Sequence, residues 1–175
     1  MNILFASETE KAEFWIPLLE RALPQDRFFT APRFTTSDGP IDIALVATPP
    51  AGTLAALKNL KLIQSLWMGV EKLLADPGLP KGVPLARLID PGMVAAMTES
   101  VIAHVLDWHR HHCRYRAQQA ERQWRRRKQY LAADRTVGIL GLGELGSDAA
   151  RKLLALGFNV AGFSRRPKAL PGVTS

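Results

Sequence analysis

The chain has 175 residues, 47% hydrophobic and 22% charged, which suits one domain or two small ones and is too apolar for wholesale disorder. No run of about 18 apolar residues occurs, and the short apolar start Met1–Phe5 meets Glu8, Glu10 and Lys11 without a basic leader, so neither a membrane-spanning helix nor a secretory signal is expected. The formal charge of +7 is local: Arg110–Lys128 holds eight basic residues and one acid, Glu121, and the rest of the chain is balanced.

Asn2–Ala6 reads as a buried strand. A helix is expected over Glu10–Leu23, with Phe14, Trp15, Leu18, Leu19 and Ala22 on one face, Pro24 as its stop, and Pro17 as a source of a kink or late start. Arg27–Thr30 is a second strand. Ile41–Ala47 is a strand of the continuous apolar kind found in parallel sheets. Pro49 and Pro50 end it, and Thr53–Leu57 is read as a short helix. Leu60–Leu66 is the next strand, Val70–Leu74 a helical turn, Asp76–Pro84 a Pro- and Gly-rich loop, and Leu85–Ile89 a short strand.

Asp90-Pro91-Gly92 is the clearest break, dividing the chain into units 1–92 and 93–175. One long helix is expected over Met93–Arg116, with Val94, Met97, Val101, Ile102, Val105, Leu106 and Trp108 on its apolar face. The basic segment continues to Tyr130 as helix or extended arm. Val137–Leu140 is then a strand, Glu144–Leu156 a helix and Asn159–Phe163 a strand. Strands alternating with helices make this an α/β protein.

The most informative stretch is Gly141-Leu142-Gly143-Glu144-Leu145-Gly146, a G-x-G-x-x-G directly after a strand and before an amphipathic helix. In a dinucleotide-binding fold the first glycine makes the turn, the second lets backbone approach the pyrophosphate, and the third lets helix and strand pack closely. The helix N-terminus offers free N–H groups to the phosphates. An acid for the ribose hydroxyls usually follows about 20 residues on. Here Ser164 stands eighteen residues after Gly146, followed by Arg165, Arg166 and Lys168, and no Asp or Glu occurs from Asn159 onward. Hydroxyl and guanidinium groups suit a 2′-phosphate that an acid would repel, so NADP(H) is expected over NAD(H). Solvated loop charges are the alternative reading of the same residues.

His104, His109, His111, His112 and Cys113 cluster, yet their spacing completes no zinc set, so structural or solvated histidines are expected, with His104 partly buried. The lone Cys113 fits a reduced, cytoplasmic setting.

Asp42–Pro50, Ser65–Glu71, Met97–Leu106, Tyr115–Gln119, Thr136–Gly146, Phe163–Lys168 and Pro171–Val173 form an ordered set of motifs across the whole chain. Together they resemble the D-2-hydroxyacid dehydrogenases, and within them the glyoxylate/hydroxypyruvate reductase A branch. The resemblance implies a flavodoxin-like substrate domain, then a Rossmann cofactor domain, with the active site in the cleft between. It implies that a turn matching Trp67-Met68-Gly69-Val70-Glu71 binds the carboxylate of a small 2-oxoacid through the backbone of Met68, Gly69 and Val70. Trp67, Met68 and Glu71 depart from the family's usual Gly-Ala-Gly-Val-Asp, and Trp67 is a candidate to narrow the pocket. The resemblance also implies a homodimer in which the segment 110–130 packs on a second subunit. The family's catalytic Arg, Glu and His lie beyond the second Rossmann strand, and no residue here inherits those roles. The expectation is the N-terminal part of a longer reductase, ending after two Rossmann strands and inactive alone. Two other readings stay open: binding of nucleic acid or an acidic partner through Arg110–Lys128, with Tyr115, Trp124 and Tyr130 interleaved, and a non-catalytic NADP-binding regulator.

Overall fold

The computed structural model describes residues 1–31 and 39–174. The chain divides into two compact units, Met1–Ile89 and Asp90–Ser175.

Unit 1 is one all-parallel sheet. Its strands are β1 (Asn2–Ser7), β2 (Arg27–Thr30), β3 (Ile43–Ala47), β4 (Leu62–Ser65) and β5 (Leu85–Ala86), in the order β2-β1-β3-β4-β5. That is the flavodoxin-like order, which puts the carboxyl ends of β1, β3 and β4 side by side. The central strands are apolar at consecutive positions because both faces are covered. Leu4, Ala6, Ala44, Val46 and Ile63 form the core with Ile41, Leu54, Leu60 and Leu73, while Ile3 and Phe5 are buried on alternate positions of β1. Asp42 ties the base of the sheet together. Its carboxylate takes the Asn2 N–H at 2.9 Å and the Lys61 ammonium at 2.7 Å, and these partners hold it below the usual carboxylate range.

Helix α1 (Ala12–Ala22) follows β1 and keeps Pro17 inside it. No residue of α1 is fully buried, and Phe14 and Leu18 stand in solvent. Helical spacing marks an apolar stripe, but how much of it finds a partner depends on what packs there. The expected helix over Thr53–Leu57 is a run of turns, closed by N–H donation from Thr53 to Pro50 and from Ala56 to Gly52. Leu54 alone of that stretch is driven into the core. Helix α2 (Glu71–Leu74) is one short turn, and β5 has two residues rather than the five expected.

Unit 2 opens at the Asp90-Pro91-Gly92 break itself. Asp90 is the N-cap of α3 (Pro91–His109), accepting from Gly92 N and Met93 N at 3.2 and 2.7 Å, with Pro91 in the first turn. Such a cap contributes about 1 kcal/mol. The single long helix expected to Arg116 is broken: His111 adopts φ +58, and α4 (His112–Ala120) starts anew. A left-handed residue interrupts the ladder of hydrogen bonds, which residue spacing does not reveal. Residues 121–131 are irregular, and a 3-10 turn at Ala132–Asp134 leads into the sheet.

That sheet is β6 (Thr136–Leu140), β7 (Asn159–Phe163) and β8 (Val173–Thr174), parallel, in the order β6-β7-β8. A third strand was not expected, because two residues after Pro171-Gly172 are too short to show a period. Helix α5 (Glu144–Ala155) crosses from β6 to β7, burying Ala149, Ala150 and Leu153. Its small alanines allow close approach, and Leu153, Phe158 and Val160 form a second core packed by Val101, Ile102, Val105 and Leu106 of α3. Full burial of Leu153 or Phe158 is worth about 2 kcal/mol each. Thr98 of α3, itself buried, donates to Asp148 of α5 at 2.8 Å. β6 is an edge strand here, with Leu140 88% exposed.

His109 packs its ring edge-on against Phe158 at 5.0 Å, and its buried Nδ1 has no hydrogen-bond partner. Loss of hydration, with the charges of Arg110, Arg135 and His111, pulls its pKa below the ordinary 6.5. The unfolded chain therefore takes up this proton first as pH falls. The contribution of the neutral ring is complete above about pH 6.5 and is lost as pH falls from there through the lower pKa of the folded state. Thermal melts from about pH 8 to 5 are expected to show a steeper loss of stability for the wild type than for His109→Leu; parallel curves would overturn this.

Candidate functional site

The glycine loop joins β6 to α5, and each glycine has a distinct environment. Gly141 has φ +101, a conformation L side chains rarely adopt, and it turns the chain out of β6. Gly146 is in tight contact: a Cβ there would overlap the Gly141 carbonyl oxygen and lie 3.2 Å from Ile139 Cγ2. Gly143 is the opposite case, since a Cβ would meet nothing within 4 Å. One glycine is required by protein packing, whereas the space before the other is open to a ligand.

The loop is held from behind. Leu142 is buried, and the buried Ser147 hydroxyl donates to its carbonyl at 2.9 Å. Ser147 N–H bonds the Gly143 carbonyl at 2.9 Å. Gly143 is the N-cap of α5, and Glu144 and Leu145 begin its first turn, so their N–H groups lack intrahelical partners. The twelve-residue helix adds its positive end to the same spot. Ser147 escaped the sequence reading. Its place in the first turn after Gly146 was the only signal.

The cationic tip lies beside this loop. In the β6–β7 ladder Leu140 pairs with Phe163, and Gly141 N–H donates to the Phe163 carbonyl at 2.8 Å. The glycine loop and Ser164 therefore leave adjacent strands at the same level. The Ser164 hydroxyl closes the turn onto the Arg166 carbonyl. Arg165, Arg166 and Lys168 are exposed and form no ion pair among the described residues. A cradle with free N–H groups, next to unpaired guanidinium groups, fits a pyrophosphate and a further phosphate on the adjoining ribose.

In unit 1 the turn Trp67-Met68-Gly69-Val70 leaves the carboxyl end of β4. Val70 is the N-cap of α2, which has only four residues, so little helix dipole supports an anion there. What the turn offers is backbone. Ser65, 2% exposed, grips it by accepting from Trp67 N at 3.1 Å and donating to Trp67 O at 3.0 Å. Arg87 donates to the Met68 carbonyl at 3.2 Å. A cavity of about 260 Å³ opens on the turn, lined by Thr48, Pro49, Trp67, Gly69 and Glu71 among others. The Glu10 carboxylate, which sequence reasoning did not single out, accepts from the Trp67 indole at 3.1 Å.

The histidines do not converge. His109 contacts Phe158, His112 lies 3.7 Å from Asp107, and His104 is exposed rather than partly buried. Among the described residues no group of three or more His, Cys, Asp or Glu could hold a metal ion. In the basic segment Arg116 pairs with Asp107 at 2.9 Å, Lys128 and Arg135 lie over the Tyr130 ring, and Trp124 is 92% exposed. No helix among the described residues is long and apolar enough to cross a membrane.

Residues 102–173 match the model of the D-isomer specific 2-hydroxyacid dehydrogenase, NAD binding domain. The whole chain is 41% identical to a glyoxylate/hydroxypyruvate reductase A of Serratia proteamaculans and 40% identical to that of Yersinia enterocolitica, and it spans 57% of the length of each. Several solved structures are similar over 99% of this chain, among them two in complex with a nicotinamide cofactor. One is a D-isomer specific 2-hydroxyacid dehydrogenase from Xanthobacter autotrophicus in complex with NADPH and MES, with TM-score 0.89, 36% identity and 56% of that chain covered. The other is an NADPH-dependent glyoxylate/hydroxypyruvate reductase from Sinorhizobium meliloti in complex with NADP and sulfate, with TM-score 0.83, 34% identity and 55% covered. Sequence and fold, from the parallel sheet of unit 1 to the glycine loop of unit 2, are thus similar to part of a D-isomer specific 2-hydroxyacid dehydrogenase, and residues 102–173 match that family's NAD binding domain.

Proposed function

We propose that these 175 residues supply the 2-oxoacid-binding turn and the NADP-binding loop of a reductase for glyoxylate- or hydroxypyruvate-type acids. The observation that carries this reading is the pairing of the Gly141–Gly146 cradle with the exposed Ser164–Lys168 tip across the Leu140–Phe163 register. Gly141, Leu142, Gly143, Glu144, Leu145 and Gly146 hold the pyrophosphate, while Ser164, Arg165, Arg166 and Lys168 hold the 2′-phosphate. The relatives named for glyoxylate and hydroxypyruvate, and the neighbours bound to NADPH or NADP, support the same assignment.

Met68, Gly69 and Val70 orient the acid by its carboxylate through backbone groups. NADPH, when bound, supplies a hydride to the carbonyl carbon. The carbonyl oxygen then needs a proton donor and a cation nearby. We assign neither role to any residue of this chain, so turnover requires groups beyond residues 1–175. Titration of the chain by nicotinamide fluorescence is expected to show tighter binding of NADPH than NADH, without turnover of glyoxylate. Equal affinities would overturn the NADP assignment, and full turnover would overturn the placement of the catalytic groups.

The basic segment fits subunit packing in a homodimer better than nucleic-acid binding. Arg116 and Lys128 of this segment already have partners within their own unit, and the exposed Trp124 is an apolar anchor of the kind buried at protein interfaces. The same reading places the protein in the cytoplasm, where the exposed Cys113 stays reduced.

A further inference from the structure

Trp67 is immobilised in a way its exposure does not suggest. Its indole Nε1 donates to one carboxylate oxygen of Glu10 at 3.1 Å, and the Trp15 indole of α1 donates to the other at 3.2 Å. Glu10 is in turn fixed to the end of β1. Its N–H donates to the Ser7 hydroxyl at 2.6 Å, as does that of Thr9 at 3.1 Å. The Thr9 hydroxyl reaches the Ala47 carbonyl of β3 at 3.3 Å. With Ser65 gripping its backbone on both sides, Trp67 is held at the main chain and at the ring tip.

The indole so fixed is a wall of the 260 Å³ cavity onto which Gly69 also opens. Thr48, which lines the same cavity, has φ +47, a strained conformation of the kind concentrated at ligand sites. The cavity is smaller than the roughly 300–1,000 Å³ that accommodates drug-sized ligands. A charge-assisted hydrogen bond favours one ring position by about tenfold or more over a free indole.

We propose that Glu10 and Trp67 form a selectivity wall, in which Glu10 is a positioning residue that holds the indole against the tail of a bound 2-oxoacid and limits it to short acids. The wall rests on the reading of Met68, Gly69 and Val70 as the carboxylate-binding turn. The Gly69 and Val70 amide resonances of the 175-residue chain, followed by NMR during titration with glyoxylate and with 4-methyl-2-oxopentanoate, test both.

The wild type is expected to favour glyoxylate by about tenfold or more. That ratio should fall toward one in Trp67→Ala, and by at least about threefold in Glu10→Gln, which keeps the side-chain size but removes the charge and leaves one acceptor oxygen for the two indole donors. Trp67→Phe, with ring volume but no N–H, should give an intermediate ratio and stands in should the alanine variant not fold. Glyoxylate shifts with a ratio unchanged in all the variants would overturn the wall alone. An absence of shifts with either acid would overturn the turn as a carboxylate site, and the wall with it.

Discussion

Gly146→Ala is expected to destabilise unit 2 by about 3 kcal/mol or more and to abolish measurable NADPH binding. The added methyl would sit inside the Gly141 carbonyl oxygen, a backbone atom of the turn that cannot rotate aside. Overpacking of this kind costs about 1–3 kcal/mol where side chains can yield, and more where backbone must move. Relief requires α5 to slide away from β6, which also withdraws the helix N-terminus from the phosphates. Gly143→Ala separates packing from binding. Its φ of −74° suits any residue and a methyl there meets nothing within 4 Å, so the free chain should melt within about 0.5 kcal/mol of the wild type. NADPH affinity should nonetheless fall, because the methyl occupies the space the pyrophosphate needs. Denaturant unfolding and fluorescence titration of the two variants check the pair. Equal stability loss, or undiminished NADPH binding by Gly143→Ala, would show that the open space is not a phosphate site.

Replacing both Arg165 and Arg166 by alanine is expected to lower NADPH affinity by about two orders of magnitude while changing NADH affinity little. Both side chains are exposed and unpaired among the described residues, so their removal leaves folding within about 0.5 kcal/mol. Each charge-assisted hydrogen bond to a phosphate is worth about 1.5–3 kcal/mol, roughly 10- to 150-fold apiece before screening in this open setting. NADH lacks the 2′-phosphate and has nothing to lose there. Raising salt should weaken NADPH binding to the wild type more than to the double variant. A parallel loss for both nucleotides would mean that the tip serves the fold or the pyrophosphate instead.

The elements that could be read directly from the residues are those with a strong local signal. β1, β3, β6 and β7 are apolar runs bounded by breakers, and α5 follows a glycine pattern whose spacing has a mechanical cause. The charges on which the proposed NADP preference rests were likewise legible, since they follow β7 in sequence with no acid among them. Three features were not legible. The break at His111 is a single residue's left-handed torsion, β8 is too short to carry a period, and Thr53–Leu57 forms turns although its composition tolerates a helix.

By itself the sequence determined the parallel α/β class, the cradle and its charged neighbour, because strand, turn and helix there are consecutive and each residue type acts within a few positions of its own. Only tertiary structure decided which glycine is packed and which faces open space, and that Gly141 meets Phe163 across the ladder. It also brought Glu10 to Trp67 across 57 positions of chain. Such contacts arise from the order in which the strands assemble, β1 beside β3 and β3 beside β4. No local pattern of hydrophobicity or charge encodes that order residue by residue.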